Sequence, residues 1–273
     1  MTGIQELFDL TGRTAIVTGG AGFLGLQFSE ALIEAGANVI VADINHQIAS
    51  ETAEKITSRG GNALGLALDV TDPASVDQLM ERTLENYGGI DILVNSAAMD
   101  PKFESDTKTS HVTSFEEFPL QSWKDALDVN LTGLFLTCQA AARTMKARGK
   151  GSIINICSTY GISGPDQRLY ESLGEPRLYK PVYYTVSKAG VLGLTKYIAT
   201  YYAGTEIRCN ALTPGGVERN HDPAFKEAYA QRTVMGRMAY PHEMKGAVVF
   251  LASEASSYMT GSNLVVDGGW TAW

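Results

Sequence analysis

The chain has 273 residues, 44% of them hydrophobic, and a formal net charge of -8. That length and apolar content suit one large domain with a substantial core, and an acidic chain with no lysine- or arginine-rich run offers no electrostatic footprint for DNA or an anionic membrane surface. No stretch approaches the roughly 18 uninterrupted apolar residues of a membrane span, and the opening MTGIQELFDL lacks the basic and apolar segments of a signal peptide, so a cytoplasmic protein without nucleic-acid or membrane partners is expected.

Taken in chain order, apolar runs bounded by turn residues alternate with helical patterns. Strands are expected at TAIVTG (Thr14 to Gly19), NVIVAD (Asn38 to Asp43), ALGLALD (Ala63 to Asp69), DILVNSA (Asp91 to Ala97), SIINICS (Ser152 to Ser158), IRCNALTP (Ile207 to Pro214) and NLVVDGG (Asn263 to Gly269). The first six are rich in Val, Ile and Leu without clean alternation, the signature of parallel strands covered on both faces. Helical patterns lie between them, among them Phe23 to Ala35, Pro73 to Tyr87, Trp123 to Arg148 and Tyr184 to Tyr202. The expected fold class is α/β, a doubly wound sheet of seven mostly parallel strands in a single domain over 1–273. Two long irregular stretches, Met99 to Pro119 and Tyr160 to Pro181, follow strand ends at the carboxyl edge, where such sheets bind ligands; loops of this length are functional lids or disordered.

Cys138, Cys157 and Cys209 show no C-x-x-C spacing and are odd in number, so they read as small buried hydrophobes rather than a disulfide framework. Cys157 lies beside a candidate catalytic residue, which leaves a reactive thiol as the second reading. His46, His111, His221 and His242 are scattered without ligand spacing, and no metal site is expected.

GGAGFLG, Gly19 to Gly25, follows one expected strand and opens an amphipathic helix, the context in which G-x-G-x-x-G (Gly20, Gly22, Gly25) serves a dinucleotide. Glycines let the backbone approach a pyrophosphate whose charge meets the free N–H groups of the helix N-terminus. Asp43, about twenty residues on and at the end of the second strand, is placed to accept from the adenosine ribose hydroxyls. Its charge would repel a 2′-phosphate and no Arg or Lys adjoins it, so NAD(H) is preferred to NADP(H); a helix N-cap is its other reading.

In VYYTVSKAG, Tyr184 and Lys188 stand i, i+4, so a helix brings phenol and ammonium to one face. A cation beside a phenol favours the phenolate and makes it a usable proton carrier. Thr18-Gly19, Asn95-Ser96-Ala97, Asn130, Ser158, Tyr184-x-x-x-Lys188 and Pro214-Gly215 follow in an order that resembles the short-chain dehydrogenase/reductase family over essentially the whole chain. The resemblance implies a Rossmann-type oxidoreductase that moves a hydride between a nicotinamide cofactor and a secondary alcohol or ketone. In it Tyr184 would transfer the hydroxyl proton. Lys188 would hold the nicotinamide ribose and lower the tyrosine pKa, Ser158 would bind the reacting oxygen, and Asn130 would anchor a proton-relay water. It further implies a cofactor surface from Gly19, Gly22, Phe23, Leu24, Gly25, Asp43, Ile44, Asp69, Val70, Asn95, Ser96, Ala97, Tyr184, Lys188, Pro214, Gly215 and Val217, with Asp69 touching adenine and Asn95 stabilising the central sheet. A homotetramer or homodimer paired through the helices at Trp123 to Arg148 and Tyr184 to Tyr202 is implied as well, and the small and apolar residues around Leu134, Phe135, Ala140 and Ala141 supply a motive.

Three departures stand out. Phe23 occupies a position where the compact branch of the family carries glycine, giving the T-G-x-x-G-x-x-G spelling of the extended branch; the absence of a separate substrate domain after the seventh strand keeps the chain in the compact branch. Arg219 stands five residues after Pro214, where the compact branch commonly has threonine. The segment between Ser158 and Tyr184 is unusually long, and its surplus is expected to form a flap, at about 160–181, that closes over substrate.

That flap carries Arg168, Arg177, Lys180, Tyr170 and Tyr179, and its sequence and the PGGVE loop resemble those of oxidoreductases in bacterial surface-sugar pathways, including flagellin glycan and nonulosonic-acid biosynthesis. A polar sugar-like alcohol or ketone bound by Ser158, Tyr184, Arg168 and Arg219 is the expected substrate. Solvated loop charges paired with Glu171 and Glu175 are the alternative for the arginines. A nucleotide-sugar epimerase or dehydratase with tightly held NAD, or a non-catalytic dinucleotide-sensing module, are the competing functions.

Overall fold

A computed structural model describes residues 3–100, 114–171 and 178–273. Seven strands form one sheet in the order β3-β2-β1-β4-β5-β6-β7: β1 (Thr14–Thr18), β2 (Asn38–Asp43), β3 (Asn62–Ala67), β4 (Ile92–Asn95), β5 (Lys150–Ile156), β6 (Glu206–Pro214) and β7 (Asn263–Val266). Every neighbouring pair is parallel. The expected α/β class and strand set hold, with boundaries moved by at most three residues.

The lack of alternation in the strand sequences has a direct cause. Ile16, Ile40, Leu93 and Ile153 belong to the core on one face of the sheet, while Ala15, Val17, Val39, Val41, Ile92, Val94 and Ile154 belong to the core on the other. Both faces are covered, so both phases of the two-residue period must be apolar. Helices α4 (Pro73–Tyr87), α6 (Leu134–Arg148) and α8 (Val182–Tyr201) contribute to the first core, and α2 (Phe23–Glu34), α3 (His46–Thr57) and α10 (Lys245–Ala252) to the second. The other α-helices among the described residues are α1 (Ile4–Phe8), α5 (Leu120–Leu127), α7 (Arg168–Glu171) and α9 (Pro223–Ala230).

The single helix expected at Trp123 to Arg148 is instead α5, a π-helical turn at Asp128–Gly133, and α6. Gly133, the last residue of that turn, lets it pack closely on Val70: a Cβ would lie 2.6 Å from Val70 Cγ2. Of the residues offered as a motive for pairing copies, Leu134, Ala140 and Ala141 are buried in the core and so supply none; Phe135 is exposed, as are Val186, Tyr197 and Tyr201 on α8.

The order of strands reverses between β1 and β4, and the carboxyl ends of β1, β2, β4, β5 and β6 converge around that switch point, the crevice where open α/β sheets take ligands. A third, largely aromatic cluster of Tyr160, Leu169, Tyr170, Leu178, Tyr183, Tyr184, Phe225, Tyr229 and Trp270 closes one end of the crevice.

Candidate active site

A cleft of about 580 Å³ runs along the carboxyl edge, from Asp43, Ile44, Asp69 and Val70 past the glycine loop to Ser158, Tyr184 and Lys188. The glycine loop is shaped for close approach. Gly19 sits at φ +60°, where a side chain is strained, and a Cβ on it would stand 2.9 Å from Ala97 Cα. A Cβ on Gly25 would meet the Gly19 carbonyl oxygen, which makes α2 start hard against the loop. Thr18 Oγ1 accepts from the backbone amides of Ser96 and Ala97, both at 3.1 Å, and so ties the loop after β1 to the loop after β4. Such a cradle, opening onto the N-terminus of a twelve-residue helix, fits a dinucleotide's diphosphate.

At the adenosine end, Asp43 Oδ1 accepts from Asn45 N at 3.2 Å, and Asn45, not Asp43, caps α3 through a bond from Ile48 N. The N-cap reading of Asp43 therefore falls away. Ile44 is 76% exposed at the lip of the cleft, an apolar surface on which an adenine ring could rest. Asp69 turns its Oδ1 to the amide and hydroxyl of Thr71. Asn95, expected among the cofactor residues, does not line the cleft: its carboxamide is buried, donating to Asn155 Oδ1 at 3.0 Å and accepting from Thr137 Oγ1 at 2.8 Å. It is a strand-linking group, in keeping with the second role the resemblance gave it.

At the other end Ser158 caps a short 3₁₀ turn (Thr159–Gly161), its Oγ accepting from Tyr160 N. Tyr184 and Lys188 are buried on one face of α8. Lys188 Nζ donates to the Ile156 carbonyl at 2.9 Å, and Cys157 Sγ donates back to the Lys188 carbonyl at 3.2 Å, which staples the end of β5 to α8 in both directions. Burial pushes the Tyr184 hydroxyl well above the ordinary tyrosine range and the nearby Asp100 charge adds to this, while a hydrogen bond with Ser158 acts against it. Burial lowers the Lys188 ammonium. Asn130, in the π turn, commits its side chain to Met99 and Ser187: Oδ1 accepts from Met99 N at 2.7 Å, and Nδ2 donates to Met99 O and Ser187 Oγ.

The flap is packed where it is described; residues 172–177, including Arg177, lie outside the described residues. The Gln167 side chain both donates to Lys180 O and accepts from Lys180 N, drawing the flap's two limbs together. Tyr170 is almost wholly buried, its hydroxyl 3.1 Å from that of Tyr160.

Arg168 does not line the cleft. Its guanidinium makes a two-pronged pair with Asp166, Nε and Nη2 each at 2.8 Å, and its side chain is 73% exposed, because an acid two residues earlier at the start of α7 captures it. Arg219 does line the cleft, its Cζ 5.1 Å from the centroid of the Phe23 ring. Lys180, one of several flap cations in the sequence, turns inward to 3.9 Å from the Tyr184 ring centroid.

The three cysteines are buried. Burial lifts Cys138 to about 12 and Cys209 well above the ordinary thiol value. Among the described residues no group of three His, Cys, Asp or Glu could hold a metal, and no helix is long and apolar enough to cross a membrane. His111 lies outside the described residues.

A family model described as enoyl-(acyl carrier protein) reductase matches residues 20–271. The chain is 35% identical to the D-threitol dehydrogenase of Mycolicibacterium smegmatis, with 99% of each chain covered. Among solved structures it resembles a short-chain type dehydrogenase/reductase from Mycobacterium marinum (35% identity, TM-score 0.85, all of both chains). It also resembles a gluconate 5-dehydrogenase from Burkholderia cenocepacia in complex with NADP and tartrate (33% identity, TM-score 0.85, 99% of this chain and 100% of that one).

Proposed function

The chain belongs to the short-chain dehydrogenase/reductase family and is an oxidoreductase that uses a nicotinamide cofactor on hydroxyl-bearing substrates, and from that premise we propose a sugar-like secondary alcohol or its ketone as substrate, NAD(H) as the preferred cofactor, and Asn130, Ser158, Tyr184 and Lys188 as the residues that carry the reaction. The observation that carries the proposal is the convergence of Ser158, Tyr184 and Lys188 at one end of a cleft whose other end is the glycine cradle and Asp43.

When bound, the nicotinamide supplies or accepts the hydride. Gly19, Gly22, Phe23, Leu24 and Gly25 would hold the diphosphate, Asp43 the adenosine ribose, Ile44, Asp69 and Val70 the adenine, and Ser96, Ala97, Pro214, Gly215 and Val217 the nicotinamide half. The Ser158 hydroxyl fixes the substrate oxygen next to Tyr184, which as the phenol gives its proton to a ketone and as the phenolate takes one from an alcohol. Lys188 stands beside that phenol and favours its ionised form. Asn130 would anchor a relay water through its main chain, since its side chain is already committed to Met99 and Ser187.

Sugar chemistry is supported by the relatives that act, by name, on threitol and gluconate, and by a substrate end that mixes aromatic faces with charge: Tyr160, Tyr170, Phe225 and Tyr229 with Lys180 and Arg219. The likeness of the flap to enzymes of bacterial surface-sugar pathways points the same way. NAD(H) is supported by the Asp43 carboxylate at the end of β2 and by Ile44, Asn45 and His46 after it, which bring no lysine or arginine. Exposed Phe135, Val186, Tyr197 and Tyr201 on α6 and α8 support a homodimer or homotetramer, which light scattering at micromolar concentration would test. A cytoplasmic location belongs with this reading.

The test is a screen of polyols, sugar acids and nucleotide sugars with NAD⁺ and NADP⁺, read by NAD(P)H absorbance, with Tyr184→Phe as control. Tyr184→Phe should abolish turnover and leave NADH binding intact; near-normal turnover, or conversion of a nucleotide sugar without net NADH, would overturn the assignment.

A further inference from the structure

Lys180 is the residue immediately before Pro181, which opens α8. Its side chain is only 8% exposed, and its Nζ lies 3.9 Å from the Tyr184 ring centroid, 5.9 Å from that of Tyr160 and 3.0 Å from Asp100 Oδ1. A buried ammonium is costly unless paired and satisfied. Here the partner comes from the loop after β4, eighty positions earlier in the chain, and Gln167 holds the lysine backbone from both sides. The four residues assigned to catalysis do not include it.

We infer that Lys180 is a positioning residue for Tyr184: its ammonium rests on the ring face and neutralises Asp100, which frees the Tyr184 hydroxyl to give up its proton. The inference rests on the reading of Tyr184 as proton carrier. The groups that face Tyr184 are Asp100 after β4, Cys157 and Ser158 at the end of β5, Tyr160 in the 3₁₀ turn, Lys180 at the end of the flap, and Lys188 on its own helix. Two of the charged groups are cations that favour the phenolate, and one, Asp100, opposes it. The Lys180–Asp100 pair thus decides how much of the opposing charge the phenol feels. A cation over an aromatic face is attracted by the ring's electron density and more strongly by an anionic ring.

The sign of each substitution follows. Lys180→Met removes a cation and leaves Asp100 uncompensated, so Tyr184 becomes harder to ionise. Asp100→Asn removes the opposing charge and makes it easier. The double variant removes both and returns toward the parent.

The experiment titrates the NAD⁺-saturated protein and reads phenolate absorbance near 295 nm as the difference between each protein and the same protein carrying Tyr184→Phe, which isolates one tyrosine from the twelve. Lys180→Met should move the midpoint up by about one unit or more, as losing one close charge partner implies; Asp100→Asn should move it down, the double variant should lie between, and Lys180→Arg should stay near the parent. Equal midpoints, or shifts of the same sign in the two single variants, would overturn the inference. Should Lys180→Met fold poorly, Asp100→Asn and Lys180→Gln carry the same test, Asp100 being 55% exposed. An active Tyr184→Phe would defeat the proton-carrier reading; an inactive Tyr184→Phe with unmoved midpoints would defeat only the role of Lys180.

Discussion

The Arg219 guanidinium lies over the Phe23 ring at 5.1 Å, so the two places where glycine and threonine would be usual for a compact member of the family are in contact across the cleft. They are one departure rather than two. A ring at the first position of α2 gives a cation from the loop after β6 a surface to rest on, a contact worth about 0.5–1 kcal/mol at a partly exposed site. Arg219→Ala and Phe23→Leu should therefore raise substrate KM by similar factors, and the double variant should be little worse than Arg219→Ala alone. Fully additive effects in a double-mutant cycle would show that the two residues act separately.

With Tyr184 as the proposed proton carrier, its ionisation sets the expected pH dependence. Its hydroxyl is held well above the ordinary tyrosine value by burial first and by Asp100 second, so the protonated form dominates at neutral pH. Ketone reduction, which needs that proton, should be flat between about pH 7 and 9, whereas alcohol oxidation, which needs the ionised form, should climb by up to tenfold per unit over the same range. Oxidation that slowed as pH rose would contradict the assignment.

The proposed preference for NAD(H) rests on Asp43. Asp43→Ala removes the acceptor for the ribose hydroxyls and the charge that repels a 2′-phosphate, so the ratio of kcat/KM for NAD⁺ over NADP⁺ should fall about tenfold or more, the equivalent of roughly 1.4 kcal/mol. A parent enzyme that already favours NADP⁺ would show that Asp43 does not act this way.

Arg168→Ala should leave KM for both substrate and NAD⁺ within about twofold, because the Arg168 side chain is 73% exposed and outside the cleft lining, and Asp166 keeps Arg232 as a partner without it. Steady-state kinetics on the substrate found in the screen decide it; a large rise in KM would mean that the flap moves Arg168 inward when substrate binds.

The sheet and the glycine cradle were legible because their requirements are local: a doubly covered strand must be apolar throughout, and a loop such as Gly19 at φ +60° admits little but glycine. The meeting of Ser158, Tyr184 and Lys188 in one cleft was legible through their order and the i, i+4 spacing. The π turn was not, since one displaced turn between α5 and α6 leaves a helical pattern almost unchanged. Nor was the choice among flap cations. Arg168 is captured by a neighbour two residues away, Lys180 by an aspartate on another loop, and composition treats the two alike.

The clamp between β5 and α8 runs through main-chain carbonyls, from Lys188 to Ile156 and from Cys157 to Lys188, and no part of it passes through the twenty-odd residues that connect them. The flap hangs from two posts that are fixed without it. Lengthening such a loop costs little, about 0.6 kcal/mol for each doubling. The fold therefore lets the middle of the connecting segment vary in length and chemistry, provided that its last residue, Lys180, keeps its place over the Tyr184 ring.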